Sequence, residues 1–367
     1  MHIKFSFEKE LVNLKINTFT KVVYSILIPK FYNKLYMISE KIKAFSNLKN
    51  LGYLNLPVPD KNELISEIKR LKKEKKAVIL SHYYQSAEIQ ELSDYLGDSL
   101  YLAQVAKKTE APIIVFAGVH FMAETAKIIN PSKKVLLPDL KAGCSLADSC
   151  PPKEFKEFIK KIPNSVIVTY INCSAEIKAL SDIVCTSSNA EKIINSISKN
   201  KNIIFAPDRN LGKYLIRKTG REMTLWDGSC IVHEAFSFDK IVSLFKQHPE
   251  AKFIAHPESK SQILEIAHFI GSTSALLDFV KNDNSKTYII ATEAGILYEM
   301  KKQCPSKLFL PAPVNDNTCA CSECAFMKLN TLQKLYLCLK HESPEIFIDD
   351  ELIKSAQKSI QKMLSLS

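Results

Sequence analysis

Three cysteines stand at matched distances behind three chemically similar positions. Cys144 follows His82 by 62 residues, Cys230 follows Tyr170 by 60, and Cys324 follows His256 by 68. Thiolates are soft ligands suited to iron–sulfur clusters, zinc or copper. Three thiolates on a cubane cluster leave one iron uncovered, and an uncovered iron is a Lewis acid for a substrate hydroxyl or carboxylate. Structural zinc prefers four closed ligands, and the run Cys319, Cys321, Cys324 could supply most of such a site. The threefold register needs only one cysteine per repeat, which raises Cys324 within that run. Cys173, Cys185, Cys304 and Cys338 fall within expected strands or helices and are assigned to the core, while Cys150 is left open.

The same three positions are each followed, 17 residues on, by a hydroxyl: Ser99, Ser187 and Thr273, the last preceded by Ser272. Each is expected to begin a helix. One such residue would be a simple N-cap. Three in register suggest helix N-termini aimed at anions, whose free N–H groups and dipole favour phosphate or carboxylate. His82, His256 and Glu258 offer proton transfer. Tyr84 and Tyr170 can donate to or stack on a planar substrate, and Asn172 ends the same segment as Tyr170. His233 is expected near the metal centre, three residues after Cys230, and His120 at the start of a helix.

These residues must be held by a repeated unit. A first apolar strand feeds His82, Tyr170 and His256. A second ends near Gly118, Asp208 and Glu293, and a third begins near Val135, Met223 and Leu308. Apolar strands between amphipathic helices imply parallel sheets covered on both faces. The expectation is an α/β fold of three pseudo-symmetric three-layer αβα domains, over 61–150, 151–236 and 237–330, around a central cavity. Ligands in such sheets sit beyond the carboxyl ends of the strands, where every landmark falls. Residues 62–75 and 88–96 are expected as helices, and 332–341 and 350–366 as closing helices within 331–367.

The chain has 367 residues, 46% of them apolar, and a net charge of +11. No run of about 18–20 apolar residues follows residue 60, so that part is expected to be soluble. Ten cysteines without a secretory signal suggest a reducing, cytoplasmic setting rather than disulfides. The extension over 1–60 is basic: its first 59 residues hold nine Lys against three Glu, +6 of the +11. It is expected to be peculiar to this chain or to reflect an early start codon, with Met37 as the alternative. A basic surface helix meeting a membrane or an acidic partner is the other expectation. After residue 60 no dense Lys/Arg patch with interleaved aromatics appears, which argues against a nucleic-acid-binding sensor.

From residue 62 to the C-terminus the chain closely resembles the quinolinate synthase family. The resemblance is carried by His82-Tyr83-Tyr84-Gln85, Gly97-Asp98-Ser99, Gly118 to Lys127, Gly143-Cys144-Ser145-Leu146, Cys185 to Ser188, Ala206 to Gly212, Cys230 to His233, His256 to Ser259, Gly271 to Ser274 and Cys324 to Asn330. It implies a transferase of NAD biosynthesis that condenses iminoaspartate with dihydroxyacetone phosphate. It also implies a [4Fe–4S] cluster on Cys144, Cys230 and Cys324, with L-aspartate oxidase as supplier of iminoaspartate. By the same resemblance His82, Tyr84, Ser99, Tyr170, Asn172, Ser187, His256, Glu258, Ser272 and Thr273 line the site. Glu258 is then expected as main base, assisted by Tyr84. Some relatives carry Cys-x-x-Cys-x-x-Cys where this chain has Cys319-x-Cys321-x-x-Cys324, which leaves the role of the first two cysteines open. Rival classes are a three-cysteine radical enzyme of the diphthamide type and an iron–sulfur reductase of isoprenoid precursors. The first would release methionine-derived products and the second would need an electron donor.

Overall fold

The computed structural model describes residues 28–315 and 322–367, so Cys319 and Cys321 lie outside the described residues. The chain divides into two compact units, residues 1–56 and 57–367. Among the described residues of the first, a helix runs over Ile28–Leu51. No helix among the described residues is long and apolar enough to cross a membrane.

In the second unit the strands are β1 Ala77–His82, β2 Tyr95–Gly97, β3 Ile113–Ala117, β4 Lys134–Leu136, β5 Ser165–Tyr170, β6 Ile183–Cys185, β7 Asn202–Ala206, β8 Thr224–Leu225, β9 Lys252–Ala255, β10 Phe269–Ile270, β11 Thr287–Ala291 and β12 Leu308–Pro311. They form three four-stranded sheets with one repeated order: β2-β1-β3-β4, β6-β5-β7-β8 and β10-β9-β11-β12. Every pairing within these sheets is parallel. Helices flank each sheet, giving three αβα layers. Continuous apolar runs at β1, β3 and β11 are buried along their whole length, as strands covered on both faces must be. The third sheet shows both faces: Phe253, Ala255, Ile289 and Ala291 pack into one core, and Ile254, Tyr288 and Ile290 into another. Leu80 and Phe116 of the first sheet share one core with Val168 and Phe205 of the second.

Each unit has one more strand than its sequence pattern shows. The segment expected as a helix over 88–96 is a single helical turn, Ala87–Gln90, followed by edge strand β2. The cause is a tertiary anchor. Asp94 N–H donates to Ile79 O at 2.9 Å, and the Asp94 carboxylate accepts Ile79 N–H at 2.8 Å. The chain is thereby drawn against β1, and Leu80, Ser81 and His82 pair with Tyr95, Leu96 and Gly97. The device repeats at Asp182, which exchanges the same two bonds with Ile167 at 3.0 and 2.7 Å. In the third unit His268 takes this place. Its N–H reaches Phe253 O at 2.8 Å, and its Nδ1 accepts Phe253 N–H at 3.1 Å.

The closing helices form over Leu332–His341 and Asp350–Ser365. The first packs on helix Lys61–Glu74, and the last on helices Ala175–Ala179 and His120–Ile129 and on β6. That C-terminal helix therefore ties the layers around the first two sheets together.

Candidate active site

The carboxyl ends of the central strands from all three sheets open into one cavity of about 70 Å³. Among the sequence-predicted residues, His82, Tyr84, Ser99, Tyr170, Asn172, Ser187, His256, Glu258 and Thr273 line it, together with Cys144, Cys230 and Cys324. Ser272 does not reach the cavity wall. It is buried and caps helix Thr273–Asn282 through Ala275 N–H. Phe121, Met122 and Phe326 supply apolar wall.

Glu258 is the hub of the polar side. It is 3% exposed, so its charge must be met by protein groups or ligand. Its Oε1 accepts the Tyr170 hydroxyl at 2.6 Å, and its Oε2 lies 3.2 Å from His233 Nδ1. Burial opposes ionisation of Glu258, but His233, His256 and the Tyr170 hydroxyl outweigh it and hold the carboxyl down at about 2. Glu258 is accordingly a carboxylate at neutral pH. Tyr84 and Tyr170 stay protonated, because burial pushes both phenols up. The Tyr84 hydroxyl sits between Thr292 Oγ1 at 2.7 Å and Thr273 Oγ1 at 2.9 Å. Thr292 Oγ1 in turn meets His233 Nε2 at 3.0 Å. A continuous hydrogen-bond chain thus joins Thr273, Tyr84, Thr292 and His233, and His233 abuts Glu258.

His82 and His256 end equivalent strands and make the same local turn. Tyr84 N–H points to His82 Nδ1 at 3.2 Å, and Glu258 N–H to His256 Nδ1 at 3.3 Å. Nδ1 therefore accepts in both rings, and the proton of the neutral imidazole sits on Nε2. Burial depresses both, His82 to about 4 and His256 to about 3. Near neutral pH they are fixed neutral donors; His256 Nε2 meets Ser187 Oγ at 3.2 Å.

The three matched hydroxyls have three different local settings. Ser99 is the first residue of helix Ser99–Lys108, and the cap itself is Asp98, whose carboxylate accepts Tyr101 N–H and the Ser188 hydroxyl, each at 3.0 Å. That helix start is already occupied by a carboxylate, contrary to the expectation of a free anion site there. Ser187 lies in a turn, and its helix begins only at Ala190, again unlike the expectation. Thr273 opens its helix and is bonded to Tyr84. Asn172 Oδ1 is buried without a hydrogen-bond partner on the cavity wall, free for a ligand.

Cys144, Cys230 and Cys324 are half-buried on the same wall. Burial raises all three thiols, Cys144 to about 12. Cys324 and Glu258 further oppose ionisation of Cys144, and Glu258 and Cys144 that of Cys230. Thiols that repel each other's charge in a closed cavity are discharged by a soft cationic centre, so the donor set fits an iron–sulfur group. The assigned core thiols Cys173, Cys185, Cys304 and Cys338 are buried, as is Cys150.

Sequence inspection gave Glu293 only as a strand end and did not single out Lys328 or Thr292. Glu293, 1% exposed, accepts Cys324 N–H at 3.0 Å and Gly295 N–H at 2.7 Å. Lys328 Nζ stands 3.1 Å from Glu293 and donates to Tyr84 O at 2.9 Å. The cysteine loop is thereby clamped to the ends of β11 and β1. Gly295 is required there, since a Cβ would lie 2.7 Å from Glu293 and 2.8 Å from the Tyr84 backbone. A signal for Thr292 existed in its place, a hydroxyl directly before the Glu293 landmark.

Comparison with known proteins bears on this geometry. The family model for quinolinate synthetase A protein matches residues 66–365. The chain is 58% identical over 310 residues to a quinolinate synthase of Microcystis aeruginosa, covering 84% of this chain and 96% of that one. A quinolinate synthase of Chloroherpeton thalassium is 58% identical over 305 residues, 83% and 95% of the two chains. One from Nostoc punctiforme is 58% identical over 324 residues, 88% and 98% of the two. With the match spanning all three sheets and every wall of the cavity, the chain belongs to the quinolinate synthetase A family.

Proposed function

We propose that the protein is a cytoplasmic quinolinate synthase of NAD biosynthesis. It would condense iminoaspartate, supplied by an L-aspartate oxidase, with dihydroxyacetone phosphate, releasing phosphate and two waters. Family membership supports the activity. The observation that carries the chemistry is a buried, ionised Glu258, hydrogen-bonded by the Tyr170 hydroxyl and set between His233 and His256, in the cavity the three thiols line. A carboxylate held this way can take the proton next to a substrate carbonyl. Tyr84, kept protonated, serves as a donor during isomerisation of the triose. Neutral His82 and His256 offer Nε2–H groups to the anionic oxygens of both substrates. Asn172, Ser187, Ser99 and Thr273 offer further polar contacts to phosphate and carboxylates. Cys144, Cys230 and Cys324 would hold a [4Fe–4S] cluster, which when bound supplies an open iron as Lewis acid for a departing oxygen. No redox partner is then needed.

The test is anaerobic turnover with iminoaspartate generated in situ and dihydroxyacetone phosphate, read as quinolinate formed. Glu258→Gln should lower turnover by about 10²–10⁴-fold, the usual worth of a general base. Full turnover by that variant would remove Glu258 from the role, and absence of quinolinate with the cluster-loaded wild type would remove the activity.

A further inference from the structure

The cavity contains a second constellation of metal-ligand types that overlaps the three thiols at one residue. Cys230 Sγ, a ring nitrogen of His233 and a carboxylate oxygen of Glu258 all lie within 4.8 Å of one another. Around tetrahedral zinc, with ligands at about 2.0–2.3 Å, donor atoms stand about 3.3–3.8 Å apart. A small contraction of this triangle is enough to hold an ion.

The decisive atom is His233 Nδ1. It is buried and has no aligned hydrogen-bond partner, although Glu258 Oε2 is only 3.2 Å away. The other ring nitrogen meets Thr292 Oγ1 at 3.0 Å. In the tautomer that metal binding requires, with the proton on Nε2 and donated to Thr292, the Nδ1 lone pair points toward the carboxylate and the thiol. Thr292 can then donate to Tyr84, and Tyr84 to Thr273, so the chain of hydroxyls is satisfied in one direction. Glu258 is held likewise: Tyr170 occupies Oε1 at 2.6 Å and leaves Oε2 for the centre of the triangle. Ligands fixed from behind by a second hydrogen bond are the normal setting of bound metals.

We infer that Cys230, His233 and Glu258 form a mononuclear site for a borderline-soft divalent ion such as Zn²⁺, with its fourth position open to water. Thiolate, imidazole and carboxylate are the three zinc ligand types, and cobalt(II) accepts the same set. Binding displaces the Cys230 thiol proton to solvent and forms a sulfur–metal bond, with no change of oxidation state. The ion site stands independently of the proposed activity. Its consequence rests on that proposal: an ion here takes Cys230 from the cluster and Glu258 from proton transfer. Zinc would therefore be a competitor of cluster loading.

The test uses the full chain stripped of iron and sulfide and titrated anaerobically with Co²⁺. One equivalent should give tetrahedral d–d bands and a thiolate-to-cobalt charge-transfer band, both displaced by Zn²⁺. Cys230→Ser should lose the charge-transfer band, and His233→Gln should lose tight binding. Thr292→Val should weaken affinity about 10–100-fold, as loss of a partner behind a ligand does. Cys144→Ser and Cys324→Ser should keep both bands. If either of these two loses the charge-transfer band as Cys230→Ser does, the three thiols hold the ion and the inference is overturned. It is equally overturned if His233→Gln binds like wild type. Should His233→Gln fail to give the native circular dichroism spectrum, Glu258→Gln carries the same comparison. In a second arm, Zn²⁺ added before iron and sulfide should cut iron uptake by wild type at least tenfold and leave uptake by His233→Gln unchanged. Equal iron uptake by both would overturn the competition. Neither arm measures quinolinate, so a failed activity assay leaves both readable.

Discussion

At the residue scale, function depends on which protons are fixed and which can move. His82 and His256 are neutral because burial costs more than neighbouring carboxylates return. A folded-state value near 4 or 3, against 6.5 for a free histidine, means the unfolded chain binds protons the native one refuses. Stability should therefore fall as pH drops from about 6.5 toward 4, with Glu258 adding to the loss below its own unfolded value of about 4.3. Urea midpoints across this range should show the decline, and His82→Gln should make it shallower; an unchanged slope contradicts the assignment. Tyr84→Phe should keep the ring edge against His82, whose centroid is 4.3 Å away, while removing the hydroxyl between two threonines. Steady-state kinetics should show turnover down about 10²-fold, in the range of a lost proton donor, with KM little changed. The histidines, tyrosines, Glu258 and cysteines were legible in the sequence because chemistry-bearing types recur at matched spacing. Thr292 and Lys328 were not, since no hydroxyl or amine recurs at their place in the other two repeats, and only the fold sets them against His233 and Glu293.

At the element scale, the repeated order of strands rests on small polar anchors that sequence periodicity cannot reveal. A strand of two or three residues after one helical turn is too short to show a period of two. Asp94, Asp182 and His268 do this work at the same place in each unit, and two residue types with one hydrogen-bonding role conceal the repeat. The Asp94 bond to Ile79 is part-buried and joined by Lys72 at 2.8 Å, whereas the Asp182 bond is exposed. Asp94→Ala should therefore cost about 1–3 kcal/mol by leaving a buried N–H unpaired, and Asp182→Ala less, because water can replace the carboxylate. Chemical denaturation of the two variants decides; the reverse order would show that solvent reaches Ile79 N–H. The central strands were legible because their apolar runs are longer, and β1, β3 and β11 are buried end to end.

At the scale of the whole molecule, three sheets turn their carboxyl ends toward one cavity, and each contributes a loop bearing one cysteine. The threefold plan followed from matched spacing, the α/β class from apolar strands alternating with amphipathic helices, and the convergence from the landmarks' place at the carboxyl ends of the strands. The different settings of Ser99, Ser187 and Thr273 did not, because equal spacing fixes position along the chain and not the direction of a hydrogen bond. The account depends most on the claim that Cys144, Cys230 and Cys324 together hold one iron–sulfur cluster. Iron and acid-labile sulfide should be counted on anaerobically purified protein, in wild type and in the three single Cys→Ala variants. The expected result is about four of each per wild-type chain, the content of one [4Fe–4S] group, and loss of the cluster in every variant. Full iron and sulfide in any one of the three would contradict it.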